Sequence, residues 1–372
     1  MAHSRIVGGS TAKRVIACPG SVALVQKAPP QPSSKYADEG TMLHGIMALI
    51  LEHNEPAPSF LGAESNGQKM TLELLEEKVL PALAALDVID PEQQMEYAVE
   101  QTVSFGDFLP DVFGSADLIG RLGDRAIILD WKFGSGVTVE AEDNPQGMFY
   151  TAAAMRTPGL EWVFNGAKDI EIIIVQPPSI RRWVTSFDRI RQFERELAFA
   201  VRRALQPDAP LATGEHCRFC PARPLCPEMT GAADRALQKA VKDIDASQLG
   251  ALLSRADLLE GWISDLRGLA MQVLESGNPV PGFKLVAKRA TRKWTDEDVA
   301  ATALVGLGVD PYEQSVLSVA QAEKKLKALK KPLPTELVTA VSSGNTMAPE
   351  SDPRPAVLQI GQQLTAALSK IV

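Results

Sequence analysis

Residues 126–133 read AIILDWKF, an apolar run rich in branched side chains and bounded by the turn-like RLGDR and GSG. A run of that length and composition folds as a strand. Alternation then places Ala126, Ile128, Asp130 and Lys132 on one face and Ile127, Leu129, Trp131 and Phe133 on the other. Apolar on both faces, such a strand belongs inside a sheet covered on both sides, with its charged end carried into an apolar setting. Buried charge requires a partner or a metal. The preceding segment, VFGSADLIGRL, pairs with it through a short turn at Gly123 and Asp124 and delivers a second carboxylate, Asp117.

Two carboxylates and the carbonyl of Trp131 can hold a hard divalent cation, Mg2+ or Mn2+, through oxygen ligands that leave positions for water and a phosphate. Lys132 can then orient the water or offset charge on the phosphate in the transition state. A structural Asp–Lys pair at a strand end satisfies the same two residues, so the surrounding motifs decide between the readings. Upstream, GTMLHGIMALILEH has apolar residues at helical spacing from an N-cap at Thr41, with His44, Ala48 and Leu51 along one stripe; the helix can extend back through Glu39. Downstream, Asn144 caps a helix that begins at Pro145, and Gln146 and Tyr150, four apart, share a face of it.

His44 on a helix, Gly114-Ser115-Ala116-Asp117, Asp130-Trp131-Lys132 and Gln146-x-x-x-Tyr150, in that order, resemble the PD-(D/E)xK nuclease superfamily in its RecB-like branch, which includes bacterial recombination nucleases and CRISPR adaptation exonucleases. The resemblance spans about residues 10–230. It implies that His44, Asp117 and Asp130 ligate the catalytic metal, that Lys132 is the catalytic lysine, and that Gln146 and Tyr150 support the site. The whole chain also resembles a phage and prophage family of RecB-like proteins, through CPGS near its start, GFKLVAKRATRKW and APESDPRP.

The remaining segments fit an α/β core with a mixed sheet flanked by helices. Residues 56–70 read as a loop, and TLELLEEKVLPALAAL as an amphipathic helix bent at Pro81. MEYAVEQTVSF reads as the first strand; its Glu100 can approach the metal site, although a surface pairing satisfies it equally. DIEIIIVQPP and RRWVTSF are two further strands, followed by a helix from about Asp188 to Leu205.

Three of the four cysteines lie in HCRFCPARPLC, as Cys217-x2-Cys220-x5-Cys226, and the fourth, Cys18, stands alone near the start. Thiols so closely spaced are candidate metal ligands, and Cys18 and His216 compete to be the fourth donor of a zinc site or an iron-sulfur cluster. Spacing leaves the metal open. The split pattern resembles the iron-sulfur staple of AddB-type and CRISPR adaptation nucleases, which implies a 4Fe-4S cluster on all four cysteines, tying the two ends of the core together.

With 372 residues, the chain is long enough for two domains, expected at 1–230 and 231–372, the second mainly helical. Helices are expected near 233–243, 246–276, 295–306, 317–330 and 334–341, with a basic arm at Lys284, Lys288, Arg289, Arg292 and Lys293. The net charge of -8 weighs against nucleic acid, because phosphate contacts need positive charge; Arg181-Arg182, Arg189 and Arg191, Arg202-Arg203 and the basic arm weigh the other way. No apolar run of about 18 residues is present, so no membrane partner and a cytoplasmic location are expected, that of the bacterial host if the chain is phage-encoded. No Walker motif or GxGxxG occurs, which argues against ATP-driven unwinding. The expectation is a metal-dependent deoxyribonuclease, an exonuclease acting on single strands or duplex ends in phage replication or recombination, with a recombination or replication protein as a further partner. A non-catalytic DNA-binding or assembly module with the same fold is the alternative.

Overall fold

The computed structural model describes residues 4–29, 33–134, 138–231 and 246–284. The chain divides into two compact units, Met1–Val286 and Ala287–Val372. The expected division at 230/231 therefore falls inside the first unit. The expected helices at 233–243 and beyond 295, and the basic arm from Lys288 to Lys293, lie outside the described residues.

A 3-10 turn at Gly9–Thr11 leads into two short helices, α1 (Ala12–Ala17) and α2 (Ser21–Gln26). The following helix, α3 (Lys35–His53), begins well before Thr41, because the Ser34 side chain accepts a hydrogen bond from the Ala37 amide at 3.2 Å and caps it. Thr41 sits inside the helix and donates its hydroxyl to the Ala37 carbonyl at 2.9 Å. Within the expected loop the chain forms a small hairpin, β1 (Glu64–Ser65) and β2 (Gln68–Lys69), around Asn66 and Gly67, both at positive φ. Asn-Gly is the strongest short-range hairpin signal.

The bend at Pro81 takes the form of a π-helical turn, Leu75–Val79, between the short α4 (Leu72–Leu74) and α5 (Leu80–Ile89). A proline cannot donate to the carbonyl four residues back, and the widened turn absorbs the mismatch.

Five strands form the central sheet in sequence order: β3 (Glu96–Ser104), β4 (Phe113–Leu122), β5 (Arg125–Trp131), β6 (Asp169–Gln176) and β7 (Ser179–Thr185). Every neighbouring pair is antiparallel except β5 and β6, which run parallel and are joined by a crossover containing α6 (Pro145–Ala154) and α7 (Glu161–Phe164). A long amphipathic helix, α8 (Phe187–Ala204), follows, capped by Ser186. The described part of the chain ends with α9 (Ala246–Glu275) and a short bridge between Val280 and Phe283.

Two apolar layers cover the sheet. Residues of α3 and α5 pack with Ile127, Leu129, Trp131 and Phe133 on one face, and residues of α1, α6 and α8 pack with Ala126 and Ile128 on the other. The alternation expected for β5 is thus observed, and Asp130 points into the α6 layer. Gly147 lets α6 lie against β6, since a Cβ there would stand 2.5 Å from Ile172. The architecture is a five-stranded mixed α/β sheet flanked by helices on both faces.

Candidate functional site

The end of β5 is where the sheet begins to separate. Pairing between β4 and β5 stops at Leu118–Leu129, one residue short of setting Asp117 opposite Asp130. The amide of Trp131 donates instead to Asp117 Oδ2 at 2.7 Å. The Trp131 N–H thus fixes the Asp117 carboxylate.

On the α3 side, His44 Nδ1 stands 3.3 Å from Asp117 Oδ2, with the imidazole edge-on to Phe133. Burial opposes a charge on His44, but the field of Asp117 and its hydrogen bond outweigh that penalty and raise the imidazole pKa. Glu100, on β3, completes a group of three: one donor atom each of His44, Glu100 and Asp117 lie within 4.8 Å of one another. Ser115 Oγ donates to Glu100 Oε2 at 3.0 Å. Burial, then the neighbouring Asp117 charge, raises the pKa of Glu100.

On the α6 side, Asp130 is 1% exposed. Its Oδ2 lies 2.5 Å from Lys132 Nζ, and its Oδ1 accepts from Gln146 Nε2 at 2.9 Å. Gln146 also donates to the Tyr150 hydroxyl at 3.1 Å and accepts from Lys132 Nζ at 3.0 Å. This arrangement follows from the capped start of α6: the Asn144 side chain accepts from the amides of Gln146 and Gly147, with Pro145 at the first turn. Burial pushes the Asp130 carboxyl up to about 6, against the pull of Lys132. Tyr150 is raised as well, by burial and by Asp130.

All six acidic, basic and polar side chains expected from the motifs, His44, Asp117, Asp130, Lys132, Gln146 and Tyr150, therefore meet at one end of the sheet. Glu100 joins them. Sequence reasoning left Glu100 open because its approach depends on the backbone: it has φ 48 in the middle of β3. The donor set, one imidazole and two carboxylates in a half-buried recess, fits a divalent cation that keeps open positions.

Among the described residues, the cysteines are not grouped closely enough to be a preformed metal site. Cys18 Sγ accepts from the Ala212 amide at 3.4 Å, and the Ala212 carbonyl receives both Cys217 Sγ, at 3.8 Å, and His216 Nε2, at 2.9 Å. Cys18 thus lies beside the C-x2-C-x5-C segment, against an apolar cluster of Cys217, Cys226, Met229, Leu24, Leu258 and Trp262. Hydrogen bonds that the protonated His216 ring donates to the Cys18 and Cys217 sulfurs raise its pKa to about 10. Backbone amides also point at Cys220, from Ala222, and at Cys226, from Glu228 and Met229, but burial outweighs them and raises both thiols. Amides aimed at sulfur suit thiolate ligands. Among the described residues, no three of these sulfurs approach as closely as the His44, Glu100 and Asp117 donors do. A zinc ion with bonds of about 2.3 Å would need its sulfurs about 4 Å apart, so this is not a preformed zinc tetrahedron.

Several of the basic residues on β7 and α8 are ion-paired within the chain, one of them with a buried carboxylate. Glu171 is 2% exposed within β6, and it binds Arg182 at 2.6 Å and Arg125 at 2.8 Å. Burial works against its charge, yet the two guanidinium groups hold its carboxyl below the usual range. Arg181 meets Glu140, Arg189 meets Asp143, and Arg191 meets Asp188. Among the described residues, no helix is long and apolar enough to cross a membrane.

A solved structure titled "Crystal structure of SSO0001" aligns over 61% of this chain and 88% of its own, at 13% identity and a TM-score of 0.27. A likeness at that score bears on neither fold nor chemistry. The model of the family described as "Protein of unknown function (DUF2800)" matches residues 3–355, nearly the whole chain, and the protein belongs to that family.

Proposed function

We propose that this protein is a metal-dependent deoxyribonuclease built on a PD-(D/E)xK core of the RecB-like type, acting as an exonuclease in phage DNA replication or recombination. The observation that carries the reading is the convergence of His44 and Asp117 with Asp130, Lys132, Gln146 and Tyr150 at the splayed end of β4 and β5. These residues come from four separate motifs, and nothing but the fold brings them together.

The cation implied is Mg2+ or Mn2+, held by His44 and the carboxylates; when bound, it supplies Lewis acidity toward a phosphate oxygen and activates water. The chain's own residues do the positioning. Lys132 Nζ, steered by Asp130 and by Gln146 Oε1, is the cation placed to meet charge that grows on a phosphate in the transition state. Gln146 keeps its amide in one orientation because Tyr150 accepts from the same nitrogen that serves Asp130. The Trp131 amide fixes the Asp117 carboxylate toward His44.

The four cysteines would hold a 4Fe-4S cluster, with zinc as the alternative. A cluster in which each thiolate binds its own iron spaces the sulfurs more widely than a single tetrahedral ion does. DNA, as a single strand or a duplex end, is the substrate this reading implies.

Cleavage of end-labelled and circular DNAs in Mg2+ or Mn2+ tests the proposal. The parent should degrade the linear substrate, chelation should stop it, and Asp117→Asn/Lys132→Ala should be inactive while still folded. Cleavage by the double variant at the parent rate would overturn the assignment.

A further inference from the structure

We infer that the outward face of α8 carries single-stranded DNA toward the catalytic end of the sheet, with Arg191, Arg195 and Arg202 on the phosphates and Phe199 stacked on a base. The inference rests on the nuclease reading for its choice of DNA, and it adds the form of the substrate. At about 100° per residue the four positions fall within about 80° of one another round the helix. The opposite side is apolar and buried, formed by Ile190, Phe193, Leu197 and Val201. Phe199 is 63% exposed, an apolar ring held in water between arginines, whereas Phe193 on the same helix is enclosed. The chain carries a net charge of -8, yet this face is positive. Its neighbouring carboxylates turn elsewhere: Glu194 binds Arg156, and Glu196 accepts from Gln192 and meets Arg189. Arg191 shares its charge with the exposed Asp188, a surface pair of little strength. Among the described residues, Arg195 and Arg202 have no carboxylate partner.

The face begins beside the catalytic cluster. Arg189 Nε donates to Asp143 Oδ1 at 2.7 Å, which ties the first turn of α8 to the residues just ahead of Gln146, and α8 packs along α6. Arg191 follows within the same turn, and Arg202 stands about 16 Å farther along the axis. Cations strung along a line suit a phosphate chain better than a compact anion. The ring among them narrows the choice further. A paired base already has neighbours on both its faces, whereas an unpaired one can lay a face on Phe199, a contact that tolerates any sequence and that flanking guanidinium groups strengthen.

The test measures binding by full-length protein, in chelator so that nothing is cut, to a labelled oligodeoxythymidine, an oligouridine of the same length and a blunt DNA hairpin, by fluorescence anisotropy. Phe199→Ala should weaken binding of the oligodeoxythymidine by about 5- to 100-fold and leave the hairpin within about threefold, while Phe199→Trp binds the single strand at least as tightly as the parent. Arg195→Gln/Arg202→Gln should lower the slope of log affinity against log salt on the single strand by about 1.4, a slope that Phe199→Ala leaves unchanged. All three positions are exposed, so the variants should melt close to the parent. Parent-like affinity in Phe199→Ala, or an unchanged slope in the arginine variant, would overturn the inference. Equal weakening on the hairpin would overturn the single-strand assignment, and tighter binding of oligouridine would overturn DNA as the strand bound. A parent that binds none of the probes would overturn it as well and leave the face to a protein partner. Cleavage with Mg2+ or Mn2+ decides the nuclease reading separately: a parent that binds as expected but cuts no DNA loses that reading and keeps this one.

Discussion

Glu100 and Asp117 face each other across β3 and β4 without a ladder pair, although the residues on either side of them pair normally. At the same row the two strands exchange faces. Val99 and Leu118 pack in the α3 layer, whereas Val103 and Ala116, each an even number of residues away, pack in the α6 layer. Glu100 makes the exchange by adopting φ 48, a conformation that costs an ordinary side chain about 1–3 kcal/mol. Glycine adopts it freely. Glu100→Gly should therefore raise stability by about 1 kcal/mol in chelator, a melting increase of about 2 °C, measurable by calorimetry. A lower melting temperature would show that Glu100 stabilises the apo fold.

Asp130 gives the site a pH signature. Its carboxyl rises from 3.8 to about 6 in the folded chain, so between those values the folded state holds a proton that the unfolded state has lost. Stability from this residue is therefore fully present below about pH 4 and is lost as pH rises through about 6. Asp130→Asn removes that dependence. Melting curves in chelator should show the variant gaining on the parent between pH 4 and 6 and holding a constant lead above. A constant difference across the whole range would mean that Asp130 titrates like an exposed carboxylate.

Lys132 and Gln146 should separate in magnitude. Loss of a charge aimed at the transition state typically costs about 100- to 1,000-fold in rate, the drop expected for Lys132→Met. Gln146 acts through Lys132 and Asp130, so Gln146→Leu should cost less, about tenfold, with DNA affinity nearly unchanged. Equal losses in single-turnover cleavage would make Gln146 a direct participant.

The thiol site carries its own prediction. Protein purified without oxygen should be brown, and Cys18→Ser should lose metal as Cys217→Ser does, despite the 198 residues between them in sequence. Elemental analysis distinguishes the outcomes: one zinc per chain in colourless protein replaces the cluster, and full metal content in Cys18→Ser makes His216 the fourth ligand.

Arg182 should behave as a structural residue. Removing it leaves Glu171 buried with Arg125 alone, a change that costs about 3–5 kcal/mol when a pair is fully enclosed. Arg182 is partly exposed, at 39%, so about half of that is expected for Arg182→Ala. The slope of log DNA affinity against log salt should stay within about 0.3 of the parent value. A slope reduced by about 0.7–0.9 would return Arg182 to the phosphate-binding surface.

Much of this site could be read from the chain itself, because it depends on periodicity. The faces of β5, the turn at Gly123 and Asp124, the Asn144 cap and the shared face of Gln146 and Tyr150 are all local patterns, and all are present. The small hairpin at Asn66 and Gly67 was equally local but hidden among prolines and glycines that suggest a loop. Two features had no local signature. The face exchange at Glu100 comes from one backbone angle, which leaves no mark on side-chain alternation. The choice of the Trp131 amide depends on where β4 and β5 part, a property of two strands together.

Tyr150 is wedged against backbone that has no room to spare: a Cβ on Gly9 would stand 2.5 Å from its ring, and one on Gly114 would stand 3.2 Å away. A methyl group at residue 9 would thus push the tyrosine off Gln146 from a position 141 residues away in sequence. An unbiased search for inactive variants should consequently return Gly9 alongside the charged residues, although it can neither bind a cation nor move a proton. Its alanine variant would look like a chemical defect in every assay of turnover, and only a structure of the variant would reveal a displaced ring.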